Sequence, residues 1–135
     1  MTETERLAAI EAIRLLKAKY WRGVDSCDAE LVRSILHPDC ELDCTGCCTD
    51  PTSGVDFLPA MNIVMRGRDS WRAQALAGFV TSHQGHQAEI EIEGPASARA
   101  IWTFTDRFFY PPGSKYNRLT GYGYYHDTYE KLGDE

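Results

Sequence analysis

The chain has 135 residues, 25% of them charged and 43% hydrophobic, with a formal net charge of -6. That length suits one domain, residues 1–135, able to bury a core without staples, and the acidic balance excludes nucleic acid and anionic membrane as partners, since both select basic surfaces. No apolar run approaches a membrane span, and the acidic start Met1-Thr2-Glu3-Thr4-Glu5 does not read as a signal peptide, so the expected location is cytoplasmic.

Glu3 to Val24 reads as an amphipathic helix, because Leu7, Ile10, Ile13, Leu16, Tyr20 and Val24 recur at three- and four-residue steps. Gly23 and Asp25-Ser26 close it. Asp28 is placed to cap a second, short helix from Ala29 to Leu36, ended by His37-Pro38. Cys40 to Cys44 reads as a strand. Thr45 to Pro59 contains Gly46, Pro51, Ser53, Gly54 and Pro59, and is a loop long enough to form a lid or rim. Met61 to Arg66 reads as a short strand, and Asp69 as the cap of a third helix, Ser70 to Val80, with Trp71, Leu76 and Phe79 among its apolar positions.

The remainder, Ser82 to Tyr129, organises the chain. Glu89 to Glu93 alternates charged and apolar residues as a half-buried strand does. Gly94-Pro95-Ala96-Ser97 is a turn, Arg99 to Tyr110 alternates again, Pro111-Pro112-Gly113-Ser114 breaks the chain, and Leu119 to Leu132 is a third run dense in aromatics. Three strands joined this way form an antiparallel meander, and the N-terminal helices are available to cover one of its faces.

Four of the five cysteines crowd into Cys40, Cys44, Cys47 and Cys48. Adjacent Cys47 and Cys48 are poorly placed to ligate one tetrahedral ion together, and there is no second CxxC, so no metal is expected. Cys40, Leu42 and Cys44 alternate on one strand face, where free cysteine packs as a small hydrophobe.

Tyr20-Trp21-Arg22-Gly23-Val24-Asp25-Ser26-Cys27-Asp28, followed by Leu31, Leu36 and Asp39, resembles the first two helices of SnoaL-like proteins. These belong to the superfamily with the cone-shaped fold of nuclear transport factor 2. Gly67-Arg68-Asp69, His83-Gln84-Gly85-His86, Glu93-Gly94 and the run Gly121 to Tyr129 follow in the family's order, so the resemblance spans nearly the whole chain. It implies an α+β fold: a cone-shaped, curved antiparallel or mixed sheet with the N-terminal helices on its concave face. It also implies a last strand bearing a tryptophan and an arginine, which the sequence up to Glu135 does not supply.

Enzymes of this superfamily include dehydratases, isomerases, polyketide cyclases, a dehydrochlorinase and carbon–carbon lyases acting on diaryl compounds. Asp25 and His83 stand where several of them carry an aspartate and a histidine, and Tyr20 matches a tyrosine of the dehydratases. The resemblance therefore implies a cofactor-independent lyase, a dehydratase first, with a carbon–carbon lyase, an isomerase or a non-enzymatic binding module as alternatives. The chemistry is coherent in itself. A neutral imidazole is a base near neutral pH, a carboxylate on its other nitrogen fixes the tautomer, and a phenol can polarise a carbonyl or protonate a leaving hydroxyl.

Strand parity leaves the base open between His83 and His86. In a regular strand His86 shares a face with Ile90 and Ile92, whereas a bulge at Gly85 would bring His83 round. The residues expected to contact substrate are His86, Trp102, Tyr122, Tyr124, Tyr125 and His126. Tyr122, Tyr124 and His126 share one strand face while Tyr125, Asp127 and Tyr129 share the other, and alternation does not say which is internal. Seven tyrosines and three tryptophans favour a flat aromatic or polycyclic ligand. The face away from the helices would carry Ile101, Phe109 and Tyr124 or Tyr125, so self-association as a trimer or dimer is expected.

Overall fold

The computed structural model describes residues 1–71 and 77–133. Helix α1 spans Glu3–Asp25 and opens with a capping box: the Glu5 backbone N–H donates to Thr2 Oγ1 at 3.1 Å, and the Thr2 N–H donates to Glu5 Oε2 at 2.6 Å. Its buried stripe is Ile13, Lys17, Trp21 and Val24, one side chain per turn. Burial begins only at Ile13, and Leu7, expected on the stripe, is exposed. Helix α2 spans Ala29–Ile35, with Asp28 Oδ1 accepting from the Leu31 N–H at 3.0 Å as the expected cap. The two helices lie close because position 23 is glycine: a Cβ there would stand 2.7 Å from Val32 Cγ2.

Strands β1 (Glu41–Asp43) and β2 (Val64–Arg66) form an antiparallel pair, Leu42 opposite Met65. Leu42 and Met65 pack with Leu36 and Tyr20 around buried Val24, Val32 and Trp71. Between the strands, the expected loop turns on itself at the Thr49–Asp56 bridge and ends in a 3-10 turn, Pro59–Met61. It is tied to the rest of the fold by a Tyr110 hydroxyl donating to the Phe57 carbonyl and by a Phe57–Tyr116 ring contact with centroids 5.2 Å apart. The core of the expected third helix lies outside the described residues. Its expected ends are a 3-10 turn at Arg68–Ser70 and a strand residue at Val80.

Strands β3 (Val80–Gly94), β4 (Ser97–Phe109) and β5 (Arg118–Glu130) form the expected meander in the order β3-β4-β5. Every described strand pairing is antiparallel, and the sheet is open rather than closed into a barrel. The buried residues of β4, Ala98, Ala100, Trp102, Asp106 and Phe108, all face α1, and Ala88, Ile90, Ile92, Tyr125 and Tyr129 join them from the flanking strands. Ile13 and Trp21 of α1 close this core, with Trp21 edge-on to Trp102 at 5.5 Å. The fold is therefore α+β with helices on the inward face of an antiparallel sheet.

The register of β3 corrects one expectation. The bulge lies between His86 and Ala88, not at Gly85. Residues before it and after it thus reach the inward face in opposite parity: His83 opposite Asp106, Gly85 opposite Phe104, then Ala88 opposite Trp102. Gly85 is needed for space rather than for a bulge, since a Cβ there would sit 1.8 Å from Trp21 Cη2. Among the described residues no helix is long and apolar enough to cross a membrane.

Candidate active site

Asp25 is the last residue of α1, one turn beyond Trp21, and meets the start of β3, where Thr81 and His83 both point inward. Its Oδ1 accepts from the Thr81 hydroxyl at 2.9 Å and lies 2.6 Å from His83 Nδ1, while Oδ2 accepts from the His83 backbone N–H at 2.9 Å. A carboxylate only accepts, so Nδ1 carries the hydrogen, and in the neutral imidazole the lone pair is then on Nε2. The imidazole is further held edge-on against Phe108 with centroids 5.4 Å apart. Asp25 and His83 line one shallow cleft of about 500 Å³ with Ala18, Trp21, Arg22 and Ser26, broadly open to solvent.

On the far side of His83 stands Asp106, 7% exposed, with Oδ2 3.9 Å from Nε2. That separation is too long for a hydrogen bond. Asp106 Oδ1 is buried without a hydrogen-bond partner and overhangs Gly121, where a Cβ would lie 2.2 Å from it. Burial pushes the Asp106 carboxyl above the usual carboxylate range, partly opposed by His83 and the Gly121 backbone, with Asp25 adding to the rise. Asp106 and Thr81 were not anticipated. The available signal was the lone charge in the inward row Ala98, Ala100, Trp102, Phe104, Asp106, Phe108.

A second buried polar group lies further along α1. Lys17, 5% exposed, donates to Asp127 Oδ2 at 2.7 Å and sits over the Tyr125 ring, 3.8 Å from its centroid. The Tyr129 hydroxyl donates to the same Asp127 oxygen at 2.9 Å and accepts from Trp102 Nε1 at 3.0 Å. Burial lowers the Lys17 ammonium below its ordinary range, against the pull of Asp127.

The anticipated residues separate accordingly. Asp25 and His83 come together. Tyr20 does not join them: it sits against Tyr125 and beneath Lys17, and among the described residues no hydrogen bond or ring contact links it to Asp25 or His83. Burial, reinforced by Cys44, Asp127 and Cys40, raises its phenol far above the ordinary range, so it stays protonated. Trp102 and Tyr125 face inward, but Trp102 is core, locked between Trp21 and Tyr129. His86, Tyr122, Tyr124 and His126, expected to contact substrate, lie on the outer face, on the other side of the sheet from His83. The displaced bulge turns His86 outward, and the β5 register puts Gly121, Gly123, Tyr125 and Asp127 on the inward side instead.

The fold is shared with three solved structures. The chain superposes on a candidate scytalone dehydratase from Novosphingobium aromaticivorans with a TM-score of 0.76 at 20% identity, covering 97% of this chain and 79% of that one. Against a hexachlorocyclohexane dehydrochlorinase, LinA-type3, from Novosphingobium barchaimii LL02, the TM-score is 0.72 at 18% identity, covering 97% and 82%. Against a candidate dehydratase of the NTF2-like family from Streptomyces avermitilis it is 0.53 at 14% identity, covering 92% and 97%. Identities this low speak for the fold alone. The family follows from a separate match to the SnoaL-like domain over residues 5–135, and the chain belongs to that family.

Proposed function

We propose that the protein is a cofactor-independent lyase, a dehydratase first, acting on a hydrophobic aromatic or polycyclic small molecule. The observation that carries this reading is the Asp25 carboxylate 2.6 Å from His83 Nδ1, which fixes the tautomer and leaves Nε2 as a base. His83 removes a proton from carbon, and Asp25 orients the ring and stabilises the imidazolium that forms. The names of the structural relatives, a dehydratase and a dehydrochlorinase, are in keeping with elimination chemistry. A carbon–carbon lyase or an isomerase would use the same base, and product analysis separates them. The test is turnover against stability: Asp25→Asn and His83→Ala should each lower turnover at nearly unchanged Tm, and full activity in either variant would sink the assignment.

The openness of the cleft favours a second reading, a binding module without chemistry. Ligand binding by calorimetry with no product formed would support it over the first.

We also propose self-association through the outer face. Val80, Phe109, Tyr122 and Tyr124 lie there, 66%, 41%, 77% and 65% exposed, a larger apolar and aromatic surface than a monomer of this size ordinarily carries. Light scattering should give a trimer or dimer; a 15.2 kDa particle at micromolar concentration would refute this.

A further inference from the structure

We propose that Asp106 is the acid of the site: it rests protonated opposite His83 and delivers that proton to a leaving hydroxyl, so that the substrate is an alcohol activated by a neighbouring carbonyl rather than a halide. The inference rests on the lyase reading above and goes beyond it by assigning a second catalytic group and the class of leaving group.

The geometry supplies the argument. One imidazole lies between two carboxyl groups, and only one is hydrogen-bonded to it. Asp25 has three donors from Thr81 and His83, which suits an ionised carboxylate. Asp106 Oδ1 has no side-chain partner among the described residues, the Gly121 backbone lies against the carboxyl, and the residue is more than nine-tenths buried. Among the described residues the titratable groups that face it are Asp25 at the end of α1, His83 on β3, Cys48 from the loop and Tyr125 on β5, and none of the four is a fixed positive charge. Burial, the largest influence, favours the neutral acid and Asp25 adds to it, against the opposing pull of His83 and the Gly121 backbone N–H. A neutral carboxyl is a donor, and Oδ2 lies 3.9 Å from Nε2, so a substrate that presents a C–H to Nε2 would bring its neighbouring C–OH toward Oδ2.

The proton balance closes within the site. As the C–H bond breaks, its proton goes to His83 Nε2 and its electron pair forms the new double bond. The C–O bond breaks with its electrons on oxygen, and the Asp106 proton goes with the hydroxyl to give water. Imidazolium and carboxylate then face each other, and return of the proton from Nε2 to Asp106 through the product water restores the resting state. Chloride, by contrast, is a leaving group that needs no proton, and it would leave the Asp106 proton unused.

Two measurements on the full chain test this. Infrared difference spectra of wild type minus Asp106→Asn at pH 7 should contain the C=O band of a protonated carboxyl, shifting in D₂O; its absence overturns the proposal. Turnover is then compared on paired probes, β-hydroxy aryl ketones and their β-chloro counterparts, above the uncatalysed rate. Asp106→Asn should slow loss of water by about 100-fold or more and loss of HCl by less than about tenfold, with the high-pH fall in the water-loss profile abolished. Asp106→Leu serves as the second variant if the asparagine protein does not fold. Equal losses on both probes, or none on either, overturn the acid role, and His83→Ala abolishing both reactions shows that the lyase reading survives. If wild type turns over neither probe, the lyase reading and the acid role fail together, while the infrared band still reports whether Asp106 holds the proton.

Discussion

Two buried polar clusters face the same sheet from the same helix, and they are built on opposite terms. In the Lys17 cluster one cation meets one anion, the Tyr129 hydroxyl and Trp102 Nε1 complete the chain, and three aromatic rings, Tyr20, Trp21 and Tyr125, surround the ammonium. In the His83 cluster two carboxyl groups compete for one imidazole, and Asp106 Oδ1 is left without a partner. A satisfied network rigidifies a core, whereas a buried polar atom left unpartnered costs stability and calls for an explanation. Among the described residues only Asp106 Oδ1 and Trp21 Nε1 are buried side-chain polar atoms without a partner, and Trp21 shares the cleft with His83. The contrast is what the proposed catalytic role of the His83 cluster predicts.

Mutation should break the two clusters in different currencies. The largest effect is expected at His83→Ala and Asp25→Asn, with turnover falling by about 10²–10⁴-fold and urea midpoints shifting little. Lys17→Met should do the reverse, destabilising the fold by about 3 kcal/mol by stranding Asp127 while leaving KM and turnover within a few-fold; urea denaturation alongside kinetics checks both. If Lys17→Met abolishes turnover at unchanged stability, the two clusters have been assigned the wrong way round.

Smaller effects sharpen the same line. Gly85→Ala should cost about 1–3 kcal/mol in urea denaturation, because the new methyl overlaps Trp21 between the two clusters. In stability, Asp106→Asn should give the smallest change, a gain confined to higher pH. A carboxyl raised in the folded state binds its proton more tightly there than in the unfolded chain, so stability falls as pH climbs from the ordinary value of about 4 through the raised one. The asparagine variant lacks this fall, and Tm measured at pH 4 and pH 8 should show its advantage at pH 8 only.

Local chemistry fixed in the sequence what local chemistry can fix. The capping residues Thr2 and Asp28 and the alternation of β3, β4 and β5 were readable because each depends on residues a few positions apart. Asp25 and His83 could be paired through the family's order of motifs, although they are 58 residues apart. Three matters belonged to the tertiary structure alone. Period-two alternation makes both faces of a strand equivalent until a bulge is located, so the step at Gln87 decided that His83 faces inward and His86 outward. Gly85 reads as a bulge signal in one dimension and is clearance for an indole in three. Lys17 and Asp127, 110 residues apart, each read as a surface charge until the fold buries them together, and Asp106 reads as one polar residue in an apolar row until β3 sets a histidine across from it. Burial and long-range pairing change the charge state and role of a side chain, and neither is encoded in the spacing of its neighbours.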